Sequence, residues 1–272
     1  MSENDAIQRT QGDPATVESL KADLSTLGVA SGMTLLVHSS LSALGWVCGG
    51  PVAVILALED VLGLRGTLVM PMHSGHLSDP ADWENPPVPQ AWWDLIRQTM
   101  PAYDPDLTPT RGTGDIPECF RKQRGVRRSP HPQVSFAAYG AQAPVIVEGH
   151  SLDFGLGEGS PLARLYGLEG WVLLLGVGHE SNTSLHLAEY GANYPGKGLK
   201  KCGAPVLIEG HRRWVEFQDI DLDTTDFEEI GEHFARETGL VCQRCVACTT
   251  ALLMPQRPLV DYALQWMERN RR

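Results

Sequence analysis

The stretch TLLVHSSLSALGWVCGGPVAVILALEDVLGLRGTLVMP, residues 34 to 71, decides the fold. TLLVHS and TLVMP are unbroken apolar runs of strand length, the pattern of strands buried on both faces rather than the alternation of half-exposed ones. Between them the loop SLSALGWVCGG leads into PVAVILALEDVLG, a helix with Pro51 in its first turn, where a missing N–H is tolerated. Two buried strands joined through a helix form a right-handed parallel crossover. The unit predicts an α/β fold with a central, mostly parallel sheet flanked by helices.

Outward from this unit, PATVESLKADLSTLG spaces Val17, Leu20, Leu24 and Leu27 as one helix face, closed by Gly28. Residues 1–13 carry no such periodicity and read as a flexible tail, leaving 14–272 as one domain with no internal linker. From Met72 to about Arg111 the chain is irregular apart from a short aromatic helix around QAWWDLIRQTM, and a segment of that length is usually functional. IPECFRKQRG, APVIVEG and SPLARLYGL read as helices, VSFAAYG as a strand, and WVLLLGVG as a deeply buried strand. APVLIEGHRRWVEFQDIDL predicts two antiparallel strands with a tight turn at Glu209-Gly210-His211. DFEEIGEHFARETG is a helix, LVCQRCVACTTALLM a cysteine-bearing strand, and PLVDYALQWMERN a closing helix.

Against 33 Asp and Glu stand 22 Lys and Arg, a net charge of −11. That balance repels nucleic acid and anionic membrane surfaces and favours a cationic small molecule. The N-terminus lacks an apolar signal region and no run approaches the ~18 apolar residues of a membrane span, so the expectation is a cytoplasmic protein. The chain has six cysteines, and Cys242, Cys245 and Cys248 stand at C-x-x-C-x-x-C spacing. On one strand, Cys245 would face away from the other two, which disfavours a shared metal and suggests reduced thiols.

Chemistry in an open α/β sheet gathers beyond the carboxyl ends of its strands. Two stretches fit. In VHSSLSALGWVCGGP, Ser39, Ser40 and Ser42 offer hydroxyls and Gly49-Gly50 exposes amides at a helix start, suited to phosphate or to a plain capping turn. In GVGHESNTSLHLAEY, His186 and Glu189 stand three apart on one helix face, so the carboxylate can orient the imidazole as a general base; a hydrogen-bonded structural histidine is the alternative. Zinc on His179, His186 and a carboxylate lacks an H-E-x-x-H or paired-cysteine pattern, and no G-x-S-x-G nucleophile elbow is present. A third stretch, RSPHPQVSFAAYG, follows Arg127 and brings Arg128, Ser129 and His131 to a strand start, either for an anionic ligand or for surface carboxylates.

LLVHSSLSALG, GTLVMP, the G-x-x-PECFR helix with GVRRSPHPQVSFAAYG, GEGSPLARLY and LLLGVGHESNTSLHLAE, in that order over most of residues 14 to 270, resemble the aminoglycoside 3-N-acetyltransferase family. The resemblance implies an α/β fold of its own type, distinct from the common acetyltransferase superfamily, and acetyl-CoA-dependent acylation of the 3-amino group of a deoxystreptamine ring. It implies that His186 is catalytic with Glu189 as partner. It implies further that His38, Ser39, Ser40 and Leu41, with Gly50, Arg128, Ser129, His131, Val134 and Ser135, bind acetyl-CoA. Asp79, Asp82, Glu84, Asp153 and Glu158 are the candidates to hold a cationic acceptor, and His179 takes a lesser role there. No metal is expected, direct transfer in a ternary complex is, and a homodimer remains open. An N-acyltransferase acting on a biosynthetic amine or another polyamine is the alternative within enzymes; a CoA-binding protein without turnover is the rival outside them.

Overall fold

The computed structural model describes residues 3–10 and 12–272. β1 (Thr34–Ser39), β2 (Thr67–Pro71) and β5 (Trp171–Leu175) are parallel neighbours, with β1 between the other two, and α3 (Gly50–Leu62) makes the crossover from β1 to β2. Around this centre the sheet extends to seven strands in the order β3-β4-β2-β1-β5-β9-β8. The outer strands are β3 (Arg127–Arg128), β4 (Phe136–Gly140), β8 (Cys242–Val246) and β9 (Thr249–Pro255).

The expectation of a mostly parallel sheet is corrected here. Pairings β2–β4, β3–β4, β5–β9 and β8–β9 are all antiparallel, so the sheet is predominantly antiparallel around a three-strand parallel core. The reason lies in the connections. Parallel neighbours need a long crossover, whereas β3 returns to β4 through a short bend and β8 to β9 through the turn at Ala247 and Cys248. Ala247 adopts φ 48°, the left-handed conformation such a turn demands. The cysteine-bearing segment read as one strand is thus two, and Cys248 sits in the turn between them.

α4 (Trp93–Thr99) lies in the long segment after β2, and helices cover both faces. On one, α2 (Val17–Leu27), α3 and α5 (Asp115–Phe120) bury Leu20, Leu24, Leu58 and Phe120 against the sheet. On the other lie α6 (Ala143–Val147), α7 (Pro161–Gly167), α8 (Ser184–Gly191), α9 (Phe227–Thr238) and α10 (Gln256–Asn270). They enclose one apolar cluster around Phe227, Phe234 and Met267 and another around Ile146, Leu162 and Leu165. Local chemistry sets the helix ends: Thr16 and Ser19 form a reciprocal capping box at the start of α2, and Ser160 caps α7 ahead of Pro161.

β6 (Leu199–Ile208) and β7 (His211–Ile220) form a separate two-stranded hairpin, in register from Leu199 opposite Ile220 to Ile208 opposite His211. Residues Glu3–Arg9, inside the stretch expected to be a tail, form helix α1. It is held near the β1–α3 loop, where Thr10 Oγ1 accepts the Trp46 amide at 2.7 Å. Among the described residues no helix is long and apolar enough to cross a membrane, all six cysteines are free thiols, and no group of three or more His, Cys, Asp or Glu is arranged to hold a metal ion.

Candidate active site

The three parallel strands end on the same edge of the sheet. His38 and Ser39 close β1, His73 follows β2 by two residues, and the segment after β5 turns sharply into α8. The turn begins at Gly176, with φ 74°; a Cβ there would lie 2.7 Å from the Ala43 Cβ, so only glycine lets the two loops approach. Between these ends opens a cleft of about 610 Å³ lined by His38, Ser39, Ser40, Leu41, His73 and His186, with Gly112 to Asp115 along one wall and Glu180, Ser181 and Thr183 along another.

His186 and Glu189 form a buried pair. Glu189 has no exposed surface, and His186 retains 9% of its own. The imidazole Nδ1 lies 2.6 Å from Glu189 Oε2. Burial opposes ionisation of Glu189, but hydrogen bonds from His186 and Arg271 and from the Asp223 amide outweigh it and hold the carboxyl below its ordinary pKa. An ionised carboxylate can only accept, so Nδ1 is the nitrogen that carries a proton toward it and Nε2 is the nitrogen turned away from the pair. The ring packs edge-on to Phe227, with centroids 4.8 Å apart.

The other histidines of the cleft are neutral. Burial pushes His38 down to about 3, helped by the neighbouring His73 and His186, and its Nε2 lies 3.3 Å from the Thr183 hydroxyl. Burial likewise lowers His73 to about 4. His73 Nε2, Ser39 Oγ and Thr113 Oγ1 are all buried without a hydrogen-bond partner. Three unpaired polar atoms on one cleft are uncommon in a folded protein and suit a ligand that supplies the missing partners.

Of the residues expected to bind acetyl-CoA, His38, Ser39, Ser40 and Leu41 line this cleft, and Gly50 borders an adjoining hollow of about 260 Å³ that shares Leu41. The RRSPHPQVS segment does not line it. Ser129 and Ser135 have no exposed surface, and His131 retains 1%. Ser129 Oγ accepts the Phe136 amide, His131 Nδ1 accepts the amides of Gln133 and Val134, and Ser135 donates to the Met72 carbonyl. Arg128 spends its guanidinium on the carbonyls of Met72 and Thr108 and on Ser135 Oγ.

None of the six acceptor-side candidates lines the cleft either. Asp79 caps a 3-10 turn and is bound by Arg97 at 2.7 Å. Asp82 and Glu158 lie exposed, Glu84 borders a separate hollow with His76, and Asp153 borders another with Lys200 and Lys201. His179 is wedged against α9, where its backbone amide donates to Glu228. The carboxylates that do line the cleft are Asp115 and Glu180. Sequence reading missed these, together with His73, Thr113 and Arg271. His73 had a legible signal, since it follows a parallel strand adjacent to β1.

A histidine whose Nδ1 is bound by a buried carboxylate, set among hydroxyls where parallel strands end, is an arrangement able to take a proton from a bound substrate. The chain belongs to the aminoglycoside 3-N-acetyltransferase family, whose model matches residues 36–268. It is 47% identical over 258 residues, 94% of each chain, to the SPbeta prophage-derived aminoglycoside N(3')-acetyltransferase-like protein YokD of Bacillus subtilis (strain 168). The crystal structure of YokD superposes with a TM-score of 0.95 over 98% of both chains at 45% identity. Aminoglycoside N(3)-acetyltransferase VII of Streptomyces paromomycinus is 39% identical over 284 residues, 98% of this chain and 96% of that one. The structure of AAC-IIIb in binary complex with CoASH matches with a TM-score of 0.85 at 31% identity, over 94% of this chain and 97% of that one.

Proposed function

We propose that this protein is a cytoplasmic enzyme that acetylates the 3-amino group of the deoxystreptamine ring of aminoglycosides from acetyl-CoA, by direct transfer with His186 as general base. The observation that carries the reading is the buried Nδ1–carboxylate bond of 2.6 Å, which leaves the other ring nitrogen of a cleft-lining histidine free to take a proton. An ammonium cannot attack a thioester. The acceptor therefore reacts as the free amine, its ammonium proton having passed to solvent; as the nitrogen forms its bond to the carbonyl carbon, His186 Nε2 takes an N–H proton and the carbon–sulfur bond breaks. The proton then passes from the imidazolium to the departing thiolate. Glu189 stabilises the imidazolium while it exists.

The unpaired hydroxyls of Ser39 and Thr113 fit the amide-rich pantetheine arm of acetyl-CoA, whose groups would complete their hydrogen bonding. His73, neutral and unpaired at Nε2, fits a donor to the thioester oxygen as negative charge develops there. Asp115 and Glu180 are the carboxylates placed to hold the remaining ammonium groups of the acceptor.

The test is thiol release from acetyl-CoA with a panel of aminoglycosides and simple polyamines, run on the wild type and His186→Ala. A positioned base contributes on the order of 10² to 10⁴ in rate, so the variant should lose that much kcat while still binding CoA. Turnover near wild type in the variant would remove His186 from the mechanism. A wild type active only on simple amines would move the acceptor to a biosynthetic amine.

A further inference from the structure

We propose that Arg271 is a positioning residue of the active site, clamping Glu189 as an ionised and correctly aimed partner for His186; this rests on the general-base reading above. Arg271 follows α10 directly, 82 residues from Glu189 in sequence. Its Nη1 donates to Glu189 Oε1 at 2.6 Å, the oxygen that His186 does not use. The rest of the guanidinium is fixed independently: Nε and Nη2 each donate to Asp226 at 2.7 Å, Nη2 also donates to the Asp223 carbonyl at 2.9 Å, and the plane stacks 4.9 Å from the Tyr194 ring centre. Asp226 alone satisfies this arginine in the ordinary way of a bidentate pair. The third arm has no need to reach Glu189 for that purpose, and where it ends is the partner of the proposed base.

The chemistry follows from what else faces the dyad. His38 and His73 approach from the ends of β1 and β2, Asp219 from β7, Asp223 and Asp226 from the segment before α9, and Asp115 and Glu180 from the cleft walls. Tyr190, Tyr194 and Lys197 complete the surroundings on the α8 side. Asp219 accepts the Tyr190 hydroxyl, and Lys197 donates to the carbonyls of Tyr190 and Ala192. Arg271 is the cation that touches the carboxylate. Without it, a fully buried anion would be left with the imidazole and one backbone amide. Such a site binds a proton more tightly, either on the carboxylate or as imidazolium. Both outcomes keep the dyad out of its working state to a higher pH.

Wild type, Arg271→Ala, Arg271→Gln and Arg271→Lys should be compared by NMR titration of the His186 ring, assigned with His186→Ala, and by kcat/KM against pH. The charge-removing variants should raise the titration midpoint, because the positive charge on the far side of the shared carboxylate is gone. The acidic limb of kcat/KM should rise in parallel, with kcat reduced about tenfold or more and the KM for the acceptor unchanged. Arg271→Lys should bring the midpoint back toward wild type. Gln retains a donor and most of the volume, and serves where Ala does not fold. An unchanged midpoint in Gln or Ala, with lowered thermal stability, would overturn the proposal and leave Arg271 as a fastener of α10. The titration needs no substrate, so a wild type that acetylates no amine would sink the acetyltransferase reading while the midpoints still decide the clamp.

Discussion

Arg128→Ala separates a cofactor contact from a structural one. The guanidinium donates to the Met72 carbonyl at 2.7 Å and to the Thr108 carbonyl at 2.5 Å, with Ser135 Oγ at 3.0 Å, and so staples the irregular segment to the strands that carry the cleft. Two charge-assisted bonds, one to the Thr108 carbonyl and one to the Met72 carbonyl that also accepts the Ser135 hydroxyl, represent about 3–6 kcal/mol. Against this stands relief of the cost of keeping a cation buried without a carboxylate, on the order of 1–2 kcal/mol. That cost is visible in its pKa, which burial lowers. The net loss of about 1–5 kcal/mol, centred on ~3, should lower the Tm by roughly 6–12 °C at that centre for a domain of this size. Thermal unfolding measures the first quantity, and calorimetric titration with CoA well below the lowered Tm measures the second. CoA affinity should change far less than stability, because Arg128 keeps no donor aimed into the cleft. A variant with Tm within about 1 °C of wild type and tenfold weaker CoA binding would refute this reasoning and return Arg128 to the phosphate.

Other consequences are equally direct. Asp115→Asn and Glu180→Gln should raise the KM for a polycationic acceptor, more at low salt than at high, whereas Asp79→Asn should cost stability through Arg97 and leave that KM alone; steady-state kinetics at two ionic strengths decide between them. Gly231→Ala should destabilise the protein by about 1–3 kcal/mol, because the new Cβ would lie 2.2 Å from His179 Cδ2. Adding His179→Ala should recover much of that loss in denaturant unfolding, and no recovery would argue that the clash is relieved elsewhere.

The legible parts of the fold were those in which one physical signal has one meaning. β1, α3 and β2 were read from the sequence because burial on both faces leaves apolar runs and a proline marks the helix start. Strand direction was not readable, because WVLLL and TTALLM are equally apolar whichever way they run. β3, two residues long, lacks any periodicity, and the turn that divides β8 from β9 carries Ala and Cys rather than the Asn-Gly or Asp-Gly that announces a hairpin. At the site, His186 and Glu189 could be paired because both stand on one helix face. Arg271 could not, since its two carboxylate partners lie 82 and 45 residues away and nothing local links them. Among 33 acidic residues, composition alone could not single out Asp115 and Glu180.

The misjudged strand directions did not displace the proposed site, and topology explains why. Parallel strands that lie side by side deliver their carboxyl ends to the same edge, and the sheet retains three of them in a row, β2, β1 and β5. His73, His38 and the segment leading to His186 therefore arrive together at one edge. The antiparallel strands β4 and β9 flank this trio and run the other way, so their carboxyl ends lie at the opposite edge. What those strands contribute is support: β9 holds the turn out of β5, where the Gly176 amide donates to the Thr250 carbonyl at 3.2 Å, and the bend before β4 holds Ser74 through the Pro132 carbonyl at 2.7 Å. A site built on the parallel core depends on the order of those three strands and on the short loops that leave them. Those loops are the stretches in which the sequence carried its histidines and hydroxyls.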